Sequence, residues 1–315
     1  MSAKIFIDGQ VGTTGLQIKS RLEGRGDIEL LSLTEETRKD AGARAEIINS
    51  ADIAILCLPD AASLEAVSMI TNPNTKVIDA STAHRTNPNW VYGFPELNAG
   101  QGKKIASARF VSNVGCYAVA SISMINPLVT AGIIPPNEGL SINAISGYSG
   151  GGRQMIESFE DKTNPQYNDA PFFVYGLTLE HKHVPEIQTH GGLTQRPLFV
   201  PSVGRFAQGM IAQIPLHLGK LAGQPSAHDI HSCLSDHYAN ARFVKVEAME
   251  KTASMGDIRP DSVNGTNELH LHVLANNNQN HAVVLAVLDN LGKGASGSAI
   301  QNLNLMLGVD EGTGL

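Results

Sequence analysis

Cysteine is scarce in this chain, which has three among its 315 residues: Cys57, Cys116 and Cys233. An odd number of cysteines without a CxxC pair argues against both a disulfide framework and a cysteine zinc site. We therefore expect no metal site, and we expect a reducing compartment, the cytoplasm, as the location of the protein.

Basic charge and long apolar runs are scarce as well. The formal net charge is −7, and acidic and basic residues are mixed along the chain, so there is no basic stripe suited to a nucleic-acid backbone. No apolar run approaches the length of a membrane span, and the first residues, MSAKIFIDGQ, lack the pattern of a signal peptide. We expect neither nucleic acid nor a membrane as a partner.

Hydrophobic residues make up 42% of the chain and charged residues 17%, which is typical of a folded globular protein. The length exceeds what one hydrophobic core usually serves, so two domains are expected. The first part alternates apolar runs at 4–8, 28–33, 52–58 and 76–78 with helical spacing at 13–22, 41–50 and 61–70. This alternation predicts an α/β domain with a Rossmann-like, doubly wound parallel sheet.

After about residue 140 the pattern changes to strands with few helices between them. The strand-like runs lie at 140–146, 198–204, 209–218, 242–249, 268–275 and 281–288. We expect an α+β domain with a mostly antiparallel sheet. The expected boundaries are 1–115 for a nucleotide-binding domain, 116–294 for a catalytic, substrate and oligomerisation domain, and 295–315 for a helix that packs back onto the first domain.

The first predicted strand and helix are joined by GQVGTTG, in which Gly9, Gly12 and Gly15 are three residues apart. Glycines allow a tight turn and the close approach of a ligand, while a helix N-terminus offers N–H groups and partial positive charge to a pyrophosphate. The spacing departs from the usual GxGxxG, and a purely structural turn is the alternative. The strand before the loop and the helix after it favour dinucleotide binding.

The segment after the second predicted strand bears on which dinucleotide is bound. An acidic side chain at the end of that strand would bind a ribose hydroxyl, whereas hydroxyl and basic groups suit a 2′-phosphate. The candidates for the phosphate are Ser32, Thr34, Arg38 and Lys39. Because Glu35 and Glu36 lie among them, a solvated loop of mixed charge is an equally good interpretation.

Cys116 lies where an extended run ends and helical spacing begins, in VSNVGCYAV. At the first turn of a helix the partial positive charge favours a thiolate, which is the reactive form. Cys57, in an apolar strand, and Cys233, in a helix, are better explained as packing residues. We predict that Cys116 attacks an activated acyl group and that the thioester is then reduced to an aldehyde with a nicotinamide cofactor.

Such a reaction needs a proton donor and acceptor, and EHKHVPEI offers His181 and His183 just before a predicted helix start at Pro185. Residues two apart in an extended segment point to opposite faces, so only one histidine is expected to face the thiol. Metal binding would need a third ligand that the sequence does not identify. The second HxH, at His270 and His272 in an alternating strand, is interpreted as structural.

GYSGGGRQ follows a predicted strand and places several glycines next to Arg153. Backbone N–H groups and a guanidinium together suit a carboxylate or phosphate on a substrate. A flexible surface loop is an equally good interpretation of these residues alone.

These motifs together resemble the N-acetyl-γ-glutamyl-phosphate reductase family, in its shorter sequence type, within the superfamily that includes aspartate-semialdehyde dehydrogenase. The resemblance runs nearly end to end through GQVGTTG, DASTAHR, YGFPELN, SNVGCYA, SGYSGGGR and HKHVPEI, in that order. Two positions depart from the family pattern. The cysteine loop commonly reads NPGCY, where this chain has Val114, and the arginine loop commonly has Ala where Gly151 stands.

The resemblance implies NADPH-dependent reduction of N-acetylglutamyl 5-phosphate to N-acetylglutamate 5-semialdehyde, a step of arginine biosynthesis, by a homodimer or homotetramer. It implies Cys116 as the nucleophile and His183 as the favoured acid/base, with His181 as the alternative. The cofactor residues predicted from the loop, the second strand and the resemblance are Gly9, Gly12, Thr13, Thr14, Gly15, Ser32, Thr34, Arg38, Lys39, Pro59 and Ser81. The predicted substrate residues are Arg85, Asn113, Ser149, Gly150, Arg153 and Glu180.

Other functions fit part of the pattern. A sister dehydrogenase that acts on another acyl phosphate, such as aspartyl phosphate, would differ only in pocket residues. A regulatory protein that senses NADPH would need neither Cys116 nor the paired histidines. A cysteine hydrolase would use Cys116 and a histidine but would not need GQVGTTG.

Overall fold

The computed structural model describes residues 2–38, 40–249, 256 and 258–315, so Lys39 lies outside the described residues. The chain divides into two compact units. Of the described residues, the first unit comprises those within 2–95, 99–114 and 295–315, and the second comprises those within 96–98 and 115–294. The first unit therefore includes the C-terminal segment. The second includes Glu96–Asn98, a short excursion of the chain out of the first unit.

The first unit is built on a six-stranded parallel sheet. Its strands are β1 (Ala3–Asp8), β2 (Ile28–Leu31), β3 (Ile53–Leu56), β4 (Lys76–Asp79), β5 (Val91–Gly93) and β6 (Phe110–Asn113), in the spatial order β2-β1-β3-β4-β6-β5. The helices between them are α1 (Thr13–Leu22), α2 (Ala41–Ser50), α3 (Asp60–Ser68) and α4 (Gln101–Ser107). The predicted Rossmann-like, doubly wound parallel sheet is confirmed.

The second unit is built on a seven-stranded mixed sheet. Its strands are β7 (Ser141–Gly147), β8 (Phe172–Val174), β9 (Leu198–Gly204), β10 (Met210–His217), β11 (Val244–Val246), β12 (Leu269–Asn276) and β13 (His281–Leu288). Its helices are α5 (Cys116–Thr130), α6 (Gly152–Glu160), α7 (Val184–Gly191) and α8 (Ala227–Tyr238). In the order β11-β12-β13-β10-β7-β9-β8, the β11–β12 and β7–β9 pairs are parallel and the other pairs are antiparallel, as predicted for this half.

The core of the first unit forms two layers because successive strand residues point to opposite faces of the sheet. Ile5 and Ile7 of β1 belong to one hydrophobic cluster, and Phe6 between them belongs to the other. The C-terminal helix α9 (Gly297–Leu307) adds Ile300 and Leu303 to the first cluster. The C-terminal helix therefore packs on one face of the parallel sheet.

Helices α5 and α8 cover one face of the mixed sheet. Within the described residues, no α-helix packs across the opposite face, which we call the open face. Along β10, Met210, Ala212, Ile214 and Leu216 are buried, while Gln213 and Pro215 between them are exposed. The open face holds a shallow cavity of about 610 Å³, lined by residues of β7, β8, β9, β10, β12 and β13. This face carries both apolar and polar side chains.

The excursion at Glu96–Asn98 is held in the second unit by a buried ion pair. The Lys293 ammonium lies 2.8 Å from Glu96 Oε1, and both side chains are almost fully buried. His237 Nε2 also lies 3.2 Å from the Glu96 carbonyl oxygen. Residues almost two hundred positions apart are thereby joined.

Most predicted elements agree with the structure within a few residues, and the runs at 198–204 and 281–288 coincide with β9 and β13. Ser226 caps α8 and forms a full capping box with Asp229. The three-residue strands β5 and β8 are too short to show a period, and the sequence did not predict them. Among the described residues, no helix is long and apolar enough to span a membrane.

Candidate active site and dinucleotide pocket

The glycine loop after β1 has a shape that only glycine permits at two positions. Gly9 has φ +87°, and a Cβ there would lie 2.3 Å from the Cys57 carbonyl oxygen. A Cβ on Gly15 would lie 2.4 Å from the Gly9 carbonyl oxygen. Gly12 caps α1 and donates its N–H to the same oxygen at 3.0 Å. The loop is therefore a tight cradle at a helix N-terminus, as a dinucleotide phosphate requires.

A cavity of about 320 Å³ opens beside this loop and is lined by Gly9, Gln10, Leu33, Arg38 and Arg44, among others. The Arg38 Nε atom is buried without a hydrogen-bond partner among the residues that the structure describes. A guanidinium N–H without a described partner, in a cavity beside the glycine loop, suits an anionic ligand. The residues present therefore fit a dinucleotide with its phosphates.

Arg44 is a cavity residue that the sequence did not indicate. Its Nη2 and Nε donate to one oxygen of the Asp8 carboxylate at 2.9 and 3.2 Å, and its Nη1 lies 3.4 Å from Glu65. Burial opposes the charge of the guanidinium, but the two carboxylates outweigh it and raise the pKa of Arg44. The Asp8 charge is thus balanced at the cavity wall. The sequence offers one signal for Arg44, its position as a basic residue one turn into the helix that Asp40 caps.

The remaining predicted cofactor residues take different positions in the first unit. Thr13 and Thr14 open α1, and Pro59 caps α3. The Ser81 hydroxyl donates to Asp79 at 2.6 Å, so it is already engaged within the unit. Thr34 shares a hydrogen bond of 3.0 Å with Thr37, while Ser32 flanks the cavity residue Leu33.

Cys116 is the first residue of α5, and its loop is tied to the histidine helix. The Gly115 N–H donates to Glu186 Oε1 at 2.9 Å, and Glu186 is 1% exposed in the first turn of α7. Gly115 itself caps α5, and its carbonyl accepts the Val119 N–H at 2.8 Å. The half-buried thiol therefore lies at the positive end of a helix dipole, which favours the thiolate. The sequence marked Glu186 only as part of a helix start.

Both histidines lie beside Tyr117, the neighbour of the cysteine. The ring centroids of His181 and His183 are 5.6 and 6.0 Å from that of Tyr117, and 4.8 Å from each other. The two residues do not lie in an extended segment, as that expectation assumed, because residues 182–183 form a turn. That only one histidine faces the thiol stays a prediction. His183 is buried at the start of α7, and His181 lines a cavity of about 200 Å³ with Tyr117 and Tyr175.

The protonation of His181 follows from its contacts. The His183 N–H donates to His181 Nδ1 at 3.1 Å, so a neutral ring carries its hydrogen on Nε2. Burial, and then the charge of Lys182, lower the pKa of His181 to about 4. The ring is therefore neutral at neutral pH. Its Nε2 faces the Tyr175 hydroxyl at 3.4 Å.

Tyr117 and Tyr175 keep their hydroxyl hydrogens near the thiol. Burial is the main cause that raises the pKa of each phenol well above its usual value, and the negative charge of Cys116 adds to the effect at both. Both hydroxyls are therefore hydrogen-bond donors at neutral pH. The sequence offered no motif for them, since a single tyrosine next to a cysteine or in an extended segment is not distinctive.

The predicted substrate residues are only partly brought together. Ser149 is buried and Gly150 lines the His181 cavity. The Arg153 side chain is 81% exposed and pairs with Glu157 at 2.7 Å, and the Glu180 side chain is 75% exposed and pairs with Arg196 at 2.6 Å. Neither of these two charged side chains lines that cavity.

Arg85 and Asn113 lie in the first unit, where both are buried. One Arg85 nitrogen donates to the Ala80 carbonyl at 2.9 Å. The Asn113 amide donates to the Ala295 carbonyl at 2.9 Å and accepts from Asn302 at 3.0 Å. The Asn113 side chain therefore fastens the end of β6 to the start of the C-terminal segment.

The chain matches one protein family in both units. Residues 4–105 match the semialdehyde dehydrogenase NAD binding domain, and residues 116–290 match the semialdehyde dehydrogenase dimerisation domain. An aspartate semialdehyde dehydrogenase II from Vibrio cholerae has the same fold, with a TM-score of 0.73 at 14% identity over 98% of both chains. At this level of identity the likeness establishes the fold alone.

The chain is also similar in sequence to curated reductases over nearly its whole length. It is 53% identical over 308 residues to an N-acetyl-gamma-glutamyl-phosphate reductase of Allorhizobium ampelinum, covering 98% of this chain and 99% of that one. It is 52% identical over 309 residues to the protein of the same name from Brucella anthropi, with the same coverage. The chain therefore belongs to the semialdehyde dehydrogenase family and, within it, to the N-acetyl-gamma-glutamyl-phosphate reductases.

Proposed function

We propose that this protein reduces N-acetylglutamyl 5-phosphate to N-acetylglutamate 5-semialdehyde with NADPH and releases phosphate. The observation that carries the proposal is the position of Cys116 at the start of α5, tied through Glu186 to the helix that His183 caps. A nucleophilic thiol with an acid/base group beside it is what acyl transfer from a phosphate needs. The glycine loop of the first unit supplies the nucleotide site.

The chemistry of the chain's own residues follows from this arrangement. The Cys116 thiolate attacks the acyl carbon, a C–S bond forms, the C–O bond to phosphate breaks, and phosphate leaves with the bonding electron pair. After two-electron reduction of the thioester, a histidine donates a proton to the oxygen. When the thiohemiacetal collapses, a histidine takes that proton back and the thiolate leaves. We favour His183 for this role and keep His181 as the alternative.

NADPH, when bound, supplies the two electrons of the reduction. The N–H groups of the loop from Gly9 to Gly15 would hold its pyrophosphate, and Arg38 would hold its 2′-phosphate. The buried Nε of Arg38, which has no hydrogen-bond partner among the described residues, supports this choice. Arg44 is engaged with Asp8 and would act by balancing that carboxylate near the phosphates.

The proposal is tested by phosphate-dependent reduction of NADP with N-acetylglutamate semialdehyde, with aspartate semialdehyde run in parallel. We expect turnover on the first substrate. Activity only on aspartate semialdehyde would leave the mechanism and change the substrate, and tight NADPH binding without turnover on either would favour a sensor. Cys116→Ser should abolish turnover while NADP binding is kept. Cys57→Ser is the matched control, because Cys57 is partly buried against the core of the first unit and desolvation raises its pKa to about 12.

We further infer a homodimer or homotetramer in which the open face of the mixed sheet packs against a second copy. That face combines exposed or half-buried apolar side chains, such as Phe172, Val174 and Ile211, with polar ones such as Gln213. A mixed apolar and polar surface of this kind is typical of subunit interfaces.

The three free cysteines support a cytoplasmic location.

A further inference from the structure

The buried amide of Asn290 contacts the loop that borders the His181 cavity. Asn290 lies two residues after β13 and is 2% exposed. Its Oδ1 accepts the Gly209 N–H at 2.7 Å, and its Nδ2 donates to the Ser149 hydroxyl oxygen at 3.0 Å. No motif in the sequence marked this residue.

The contact with Gly209 decides which way the amide points. A backbone N–H can only donate, so the group that faces Gly209 must be the carbonyl oxygen. The NH₂ group therefore faces Ser149, and the Ser149 oxygen is the acceptor. A hydroxyl that accepts at its oxygen keeps its own hydrogen for another partner. Within the part of the chain that the structure describes, Ser149 has no second hydrogen-bond partner for its side chain.

The position of Ser149 connects this hydrogen to the cavity. Ser149 is 6% exposed and stands between Gly147 and Gly150, both of which line the cavity together with His181. The loop is packed closely on the amide, because a Cβ on Gly150 would lie 3.3 Å from Asn290 Nδ2. Asn290 therefore bonds to Ser149 and leaves little room for a side chain at Gly150.

We propose that Asn290 is a positioning residue that makes Ser149 a hydrogen-bond donor to a phosphoryl oxygen of a ligand at this cavity. The inference rests on the proposed function, in which both the acyl phosphate and the cofactor carry phosphoryl groups. Ionised phosphoryl oxygens only accept hydrogen bonds, so a serine held as an acceptor by Asn290 presents the matching donor. The charge-assisted bond that results is of the stronger kind.

The test is Asn290→Asp, which is nearly the same size but replaces the NH₂ donor that faces Ser149 with an acceptor oxygen. The new carboxylate still accepts from Gly209 but also accepts from Ser149, so the hydroxyl hydrogen turns away from the ligand. We expect the dissociation constant for orthophosphate or for NADP, measured by titration calorimetry, to rise about tenfold or more. Ser149→Ala, which buries no new charge, should cause a similar loss. The double variant Asn290→Asp/Ser149→Ala should have a dissociation constant no higher than that of the single variant that binds more weakly.

The two titrations distinguish the source of the phosphoryl group: weaker orthophosphate binding indicates the substrate, and weaker NADP binding indicates the cofactor. Asn277→Asp, exposed at the turn between β12 and β13, adds the same charge and should change neither constant. If Asn290→Asp weakens binding as much in the Ser149→Ala background as alone, its charge acts without the serine and the proposal is wrong. Unchanged binding in Ser149→Ala would also overturn it. Calorimetry needs no turnover, so failure of the proposed reaction would leave the result readable.

Discussion

At the residue scale, the two histidines have different environments although both rings lie beside Tyr117. His181 is neutral and uses Nδ1 to accept the His183 N–H, whereas His183 is buried at the start of α7. We expect His183→Asn to lower kcat by about 10²–10⁴-fold if His183 transfers the proton. His181→Asn should lower kcat less. Steady-state kinetics of both variants measures this, and a larger loss at His181 would reverse the assignment.

The lowered pKa of His181 also makes a prediction about stability. Its pKa of about 4 in the folded protein lies below the ordinary value of 6.5, so the unfolded chain binds this proton more readily between these values. The contribution of His181 to the free energy of unfolding is therefore full above pH 6.5 and is lost as the pH falls toward 4. In urea titrations across this range, His181→Gln should show a flatter dependence than the wild type. A dependence in His181→Gln as steep as that of the wild type would show that His181 does not contribute to it.

Arg38 carries the prediction for cofactor choice. Removing its charge with Arg38→Ala should weaken NADPH binding and narrow the preference over NADH, because NADH lacks the 2′-phosphate. Loss of one charge-assisted contact corresponds to about tenfold or more in the NADPH dissociation constant. Fluorescence titration with both nucleotides measures the ratio. An unchanged ratio would show that other residues discriminate the two nucleotides.

At the element scale, the turn between β13 and α9 packs directly behind the nucleophile. A Cβ on Gly294 would lie 2.6 Å from the Cβ of Cys116, closer than real side chains approach. Gly294→Ala should therefore displace the first turn of α5, lower kcat, and destabilise the protein by about 1–3 kcal/mol. Urea unfolding measures the loss of stability, the rate of Cys116 alkylation by iodoacetamide reports the displacement, and steady-state kinetics gives kcat.

A glycine in open space is the control for that substitution. A Cβ on Gly102 in α4 would meet no described atom within 4 Å outside its own helix backbone, so Gly102→Ala should be neutral or stabilise by up to about 1 kcal/mol. Alkylation of Cys116 at the wild-type rate in Gly294→Ala would show that the turn does not set the position of the thiol.

At the scale of the whole molecule, the proposed interface on the open face of the mixed sheet makes a prediction about assembly. Ile211 lies half-buried on that face, near the start of β10. Ile211→Glu would place an unpaired charge in the proposed interface, which we expect to dissociate the oligomer in sedimentation velocity experiments. His228→Glu, on the helix that covers the opposite face, should leave the sedimentation coefficient unchanged. An intact oligomer in Ile211→Glu would place the interface elsewhere.

The parts of this protein that were predictable are those with a local physical signature. Apolar runs with alternating or helical spacing indicated the strands and helices, and the glycine loop and Cys116 follow from the chemistry of a helix N-terminus. Arg44, Tyr175 and Asn290 had no such signature. Each contacts a partner that no linear motif indicates. Arg44 pairs with Asp8, Tyr175 faces His181, and Asn290 bonds to Ser149 and Gly209.

The sequence by itself determined the class of fold, the order of the motifs and the family resemblance, because periodicity and short motifs are properties of neighbouring residues. Only the tertiary structure decided that the rings of His181 and His183 are in contact, that Arg153 and Glu180 are exposed ion-pair residues, and that Asn290 contacts Ser149. Hydrogen-bond direction and burial depend on atoms that the chain brings together from distant positions. A linear pattern does not carry that information.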